Sequence, residues 1–113
     1  MNIKSKEIGD VIIINVSGRM DSTFSKEDVI DFFKILYDNK KYNFIMNLEE
    51  VDYMSSNGIR IIINAKNILD KENKKIKLCG LRESVKHVAD IVELSTIVET
   101  FDTEDEALKS FSS

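Results

Sequence analysis

The 113-residue chain is 42% hydrophobic and 32% charged, the balance of an ordinary soluble globular protein. Its length fits one domain, residues 1–113, with a core that needs no disulfide or metal. A net charge of −4, with lysines scattered in short runs such as Lys40-Lys41 and Lys74-Lys75, argues against a nucleic-acid partner, which requires a clustered cationic face.

The N-terminal Met1 to Lys6 lacks the apolar stretch of a signal peptide. The longest apolar runs, Val11 to Ile14 and Ile61 to Ile63, fall well short of the ~20 residues of a membrane span. A cytoplasmic, reducing location is the default expectation.

Ile3 to Ile8 reads as a strand that turns through Gly9-Asp10 and pairs with the next as a hairpin. Val11 to Val16 is β-branched and nearly continuous, the pattern of a strand covered on both faces. Gly18-Arg19-Met20-Asp21 ends it. Ser25 is the expected N-cap of a first helix, with Glu27 and Asp28 in its positive first turn. Val29, Phe32, Phe33, Leu36 and Tyr37 recur at spacings of three and four and form its apolar face.

Tyr42 to Leu48 alternates, with Phe44, Met46 and Leu48 on one side, and predicts a third strand. Ile59 to Asn73 predicts a second helix, with Ile61, Ile62, Ala65, Ile68 and Leu69 on its apolar arc. Lys75 to Cys79 follows as a strand, and a helix starts near Ser84 with Val85, Val88, Ala89 and Val92 on one face. Ile97 to Phe101 is the expected last strand. Thr103 to Glu106 then caps a final helix that buries Ala107, Leu108 and Phe111. The order ββαβαβαβα implies an α/β sheet, parallel in its later part, with helices packed on it and the short final ones on one side.

Catalysis has little to work with, and nothing calls for a cofactor. The glycines at 9, 18, 58 and 80 are too dispersed for a phosphate loop, and the one histidine, His87, lies in a charged helix as a surface or boundary residue. Cys79, the only cysteine, excludes an internal disulfide and a multi-cysteine zinc site. It falls opposite Ile76 and Leu78 on its strand, where a packed structural thiol is expected. Glu49, Glu50 and Asp52 form an acidic patch that could bind a metal weakly but reads as solvated carboxylates. An enzyme is not expected.

The stretch Val51-Asp52-Tyr53-Met54-Ser55-Ser56-Asn57-Gly58-Ile59-Arg60 carries the most information. It joins a strand to a helix N-terminus, where backbone N–H groups are unpaired and the dipole is positive. Ser55 or Ser56 can cap that helix, and either hydroxyl can equally be presented to another protein; local chemistry favours the cap. Gly58 costs helix stability on the order of 0.5–1 kcal/mol relative to Ala. That cost implies close approach, either by a partner's backbone or within the domain.

Taken together, the motifs resemble the STAS domain, and within it the bacterial anti-sigma-factor antagonists. The resemblance rests on Gly18-Arg19-Met20-Asp21, on Val51 to Ile59, on Cys79-Gly80-Leu81 leading to Val85, and on Phe101 to Leu108, in order along the whole chain. It implies a four- to five-stranded mixed sheet with about four helices. It also implies a phosphoprotein that acts in transcription regulation by binding an anti-sigma factor, itself a GHKL-class serine kinase, and so freeing a sigma factor. Phosphorylation would break the complex and a metal-dependent serine phosphatase would restore it. The phosphoacceptor position of the family, two residues before the glycine, falls on Ser56, with Ser55 the alternate. The docking surface would comprise Asp21, Ser22, Thr23, Ser55, Asn57, Gly58, Ile59 and Arg60, with Gly58 giving the partner clearance. Many antagonists carry Asp before the acceptor and Ser or Thr after it, where this chain has Ser55 and Asn57. The alternative is a constitutive STAS partner module of a sensory scaffold or lipid-transport complex, with no sigma factor and with the serines serving only as caps.

Overall fold

The computed structural model describes residues 2–23 and 25–112. The strands are β1 (Asn2–Ile8), β2 (Val11–Met20), β3 (Asn43–Met54), β4 (Ile76–Cys79) and β5 (Thr100–Phe101). The helices are α1 (Lys26–Asp38), α2 (Ser56–Asp70), α3 (Glu83–Ile91) and α4 (Glu104–Ser112), with a 3-10 turn at Leu94–Thr96. The strands lie side by side in chain order. β1 and β2 form an antiparallel hairpin, and the remaining pairs are parallel, as strands joined through helices must be. This is the α/β architecture expected from the alternation of elements.

The near-continuous apolar run of β2 has a direct consequence for layering. Ile12, Ile14 and Val16 face one side of the sheet, where Phe32 and Leu36 of α1, Ile62, Ala65 and Leu69 of α2, and Val85 and Ala89 of α3 complete the main core. Val11 and Ile13 face the other side, with Ile45, Cys79 and Ala107. α4 is therefore the element that covers the second face, its Leu108 and Phe111 packed against that smaller cluster. The expectation that the short final helices share one side is corrected: α3 and α4 lie on opposite faces, because both faces of β2 are apolar.

Further details differ from the sequence reading. β2 does not end at Gly18-Arg19 but runs through them to Met20. β3 does not stop at Leu48 but continues to Met54. Its inward residues change spacing from two (Phe44, Met46, Leu48) to three (Val51, Met54), because β3 inserts an extra residue opposite Asn15–Ser17 and again opposite Gly18–Arg19. The second irregularity adjoins Gly18 at φ 94°, a conformation that glycine adopts without penalty. α2 starts at Ser56 rather than Ile59. At the ends of the apolar stripes, Tyr37 and Val92 are exposed rather than buried. β5 has two residues because the expected start of the strand lies in the turn that leaves the 3-10 helix: Ile97 is that helix's C-cap and is exposed, while Val98 is buried in the main core.

Candidate functional site

The bulged arms of β2 and β3 end together, with Met20 paired to Met54. The next residue, Ser55, is extended (φ −112°, ψ −176°) and is the N-cap of α2. Its N–H donates to the Met20 carbonyl at 3.0 Å, which ties the start of the helix to the end of β2. Its Oγ accepts from the Asn57 N–H at 3.2 Å. Its carbonyl accepts from Gly58 at 3.0 Å and Ile59 at 3.2 Å. Three of the first-turn donors are thereby satisfied by one residue.

Ser56 is left with none of this work. It is exposed, and among the described residues neither its hydroxyl nor its N–H has a partner. Local chemistry left the two serines interchangeable, and the resemblance implied Ser56 as acceptor with Ser55 the alternate; here Ser55 caps, and Ser56 presents a free hydroxyl at the first helical position.

Gly58 is buried, and its closeness is internal. A Cβ there would lie 2.8 Å from the Met20 carbonyl oxygen, 2.8 Å from Met54 Cγ and 3.0 Å from Met20 Cβ. The clearance expected for a partner's backbone is therefore corrected: the space is taken by the end of β2 inside this domain. Ile59 is buried as well, as part of the main core.

Asp21 begins the turn after β2 and is 6% exposed. Its Oδ1 accepts from the Thr23 N–H at 2.9 Å and from the Thr23 hydroxyl, while Oδ2 takes the Arg19 Nε at 2.8 Å. These bonds, those from Thr23 foremost, hold its carboxyl below the usual carboxylate pKa. The Arg19 guanidinium also lies 4.4 Å from the centre of the Tyr53 ring, a cation–π contact across the β2–β3 pair. Arg19 and Tyr53 were not singled out as contacts in the sequence, because the bulge that places them opposite each other has no separate signal.

Between α1 and α2 lies a shallow groove of about 400 Å³, lined by Asp21, Ser22, Asn57 and Arg60 together with Val29, Phe33, Ile61 and Asn64. Four of the expected docking residues thus share one concave surface, while Thr23 and Ser56 sit exposed outside its lining. Its apolar floor follows the i, i+4 pair Val29 and Phe33, a helical signal read only as core.

The far edge of β3 is also secured. Past Asn47, which pairs with Cys79, β3 has no further β4 residue beside it. Arg82 donates from Nε to the Glu49 carbonyl at 2.7 Å, and the Ser84 hydroxyl donates to the Asp52 carbonyl at 3.1 Å. Among the described residues no group of three or more His, Cys, Asp or Glu is placed to hold a metal, the Glu49-Glu50-Asp52 patch included. Cys79 is buried, and desolvation, with the nearby Glu104 and Glu49 charges, pushes its thiol up to about 12. His87 is exposed. Among the described residues, no helix is long and apolar enough to cross a membrane.

The chain belongs to the STAS domain family, whose sequence profile matches residues 2–107. A candidate anti-sigma factor antagonist from Thermotoga maritima is 24% identical and superposes with a TM-score of 0.81, over 96% of this chain and 92% of that one. The Bacillus cell-fate determinant SpoIIAA in its phosphorylated form is 15% identical, with a TM-score of 0.71 over 97% of this chain and 99% of that one. Murine solute carrier 26 family member A9, an anion transporter, is 16% identical with a TM-score of 0.66, over 91% of this chain and 18% of the transporter. At these identities the likeness establishes a shared fold.

Proposed function

We propose that this chain is an anti-sigma-factor antagonist: a binding module whose unmodified form captures an anti-sigma factor that is also a GHKL-class serine kinase, and so releases a sigma factor. Phosphorylation of Ser56 ends the capture, and a metal-dependent serine phosphatase restores it. In the kinase step the γ-phosphoryl group of ATP passes to Ser56 Oγ, a P–O ester forms, ADP leaves and the hydroxyl proton is released. The observation that carries this reading is the division between the two serines, in which Ser55 holds the cap and Ser56 offers an exposed hydroxyl with no partner among the described residues.

Ser22, Thr23, Asn57 and Arg60 form the contact surface beside Ser56, and Asp21, Ser55, Gly58 and Ile59 shape it from within. A phosphate adds roughly −1.5 to −2 charges at a helix N-terminus, which tolerates anions, so the fold survives. The same group must be desolvated or repelled in a docked interface. A penalty of ~3 kcal/mol weakens binding about a hundredfold.

Incubation with the candidate kinase and ATP, followed by phosphosite mapping, is expected to place phosphate on Ser56; no phosphate and no complex would remove the reading. In Ser56→Asp, kinase binding should fall while thermal stability changes little, since an acid at that position suits the helix dipole. Preserved binding in that variant, with transporter or scaffold subunits recovered from cells, would point instead to a constitutive module.

A further inference from the structure

We propose that Arg60 is the intramolecular counter-ion of the phosphate on Ser56, so that modification both adds charge and withdraws a cation from the docking groove. This rests on Ser56 being the modified residue. Arg60 lies four residues after Ser56 in α2, one turn along the same face. Side chains on a helix lean toward its N-terminus, so a long residue at i+4 lies back over the residue at i. An anion N-terminal to a cation at this spacing is also the favourable orientation.

The guanidinium is available for the task. Arg60 is exposed, and among the described residues its side chain makes no hydrogen bond, ion pair or ring contact. The other charged residue lining the groove is Asp21, and both of its carboxylate oxygens are already engaged by Arg19 and Thr23. The acid that shares the groove lining is therefore engaged, and Arg60 is left as an unneutralised cation at the groove wall. The phosphate has a second donor in the Ser56 N–H, while Asn57, Gly58 and Ile59 are occupied by Ser55. A guanidinium fork matches phosphate oxygens geometrically, which a lysine does only as a point charge.

Without phosphate, Arg60 points a free charge at whatever occupies the groove. With phosphate, it folds back one turn and the groove loses its positive wall. The partner thus meets a new negative charge and misses an old positive one.

The test installs phosphoserine at position 56 of the full chain by genetic encoding, so that no kinase is needed, and follows the phosphate by phosphorus NMR from about pH 4 to 8. The second phosphate pKa, ordinarily about 6, is expected to fall by about half a unit, a roughly threefold change in protonation. Arg60→Gln should abolish that shift, and Arg60→Lys should keep part of it. Added salt near ~1 M should shrink it. Unphosphorylated Arg60→Gln should unfold at the same temperature as the parent, since among the described residues the guanidinium has no hydrogen bond or ion pair to lose. An unchanged phosphate pKa in Arg60→Gln would overturn the proposal, because the backbone N–H alone would then hold the phosphate. A kinase that ignores Ser56 would instead sink the switch while leaving this measurement intact.

Discussion

The replacement of Gly58 by Ala separates an internal role from a partner-facing one. On an isolated helix the change would stabilise by about 1 kcal/mol. Here the new methyl meets the Met20 carbonyl oxygen at 2.8 Å and Met54 Cγ at 2.8 Å. The methionine side chain can move, but the carbonyl is backbone and is held by the Ser55 N–H at 3.0 Å. Relief requires α2 to shift away from β2. Overpacking of this kind costs about 1–3 kcal/mol, and weakening the Ser55 bond adds about 1 kcal/mol. Set against the helix gain, the net loss is about 2 kcal/mol, which lowers the melting temperature of a domain this size by roughly 8 °C. Circular dichroism on heating and in urea reads it directly. A Gly58→Ala protein as stable as the parent would refute the internal reading, and lost kinase binding with unchanged stability would restore the idea of clearance for a partner.

Two other substitutions read the rest of the structure. Ser55→Ala should cost about 1 kcal/mol through loss of the cap, while Ser56→Ala should change stability by less than about 0.5 kcal/mol; equal losses in urea titrations would contradict the assigned division. Cys79 should resist thiol reagents in the folded protein near pH 8 and react once the chain is unfolded. Because its folded pKa of about 12 lies above the reference value of 9.0, the unfolded chain releases the proton first as pH rises. Stability should therefore be unaffected below pH 9 and decline from there toward pH 12, at up to ~1.4 kcal/mol per pH unit; a Cys79→Ala protein with the same slope would exclude this cause.

Much of the fold was legible because periodicity and burial agree. The run Val11 to Ile14 announced a strand covered twice, and the four-helix, five-strand α/β order followed from alternation alone. Ser25 as the cap of α1 was readable from its position, and its Oγ accepts from the Asp28 N–H at 3.1 Å. The long end of β3 was not readable, because two inserted residues break the period-two pattern at Glu49-Glu50 and Asp52-Tyr53. The sheet side taken by α4 was missed for a different reason: its apolar face states that it packs, not where. At the site, the whole-chain resemblance located the serines, yet chemistry at the level of residue type could not divide their roles. Ser55 and Ser56 differ by one step along the chain, and only the Met20 carbonyl, thirty-five positions upstream, selects Ser55 as the cap. Gly58 was readable as a close approach but not as whose.

The bonds from Arg82 and Ser84 to the edge of β3 have a consequence for how the site is built. β4 ends at Cys79, so the last stretch of β3 projects beyond its parallel neighbour with only β2 fully alongside. A strand edge left bare in this way would offer its carbonyls to any passing chain. Two side chains from the start of α3 occupy Glu49 and Asp52 carbonyls there and act as a splint. Ser56 thus stands at the tip of a braced two-strand cantilever, and its bearing depends on Arg82 and Ser84, far downstream, through their hold on β3.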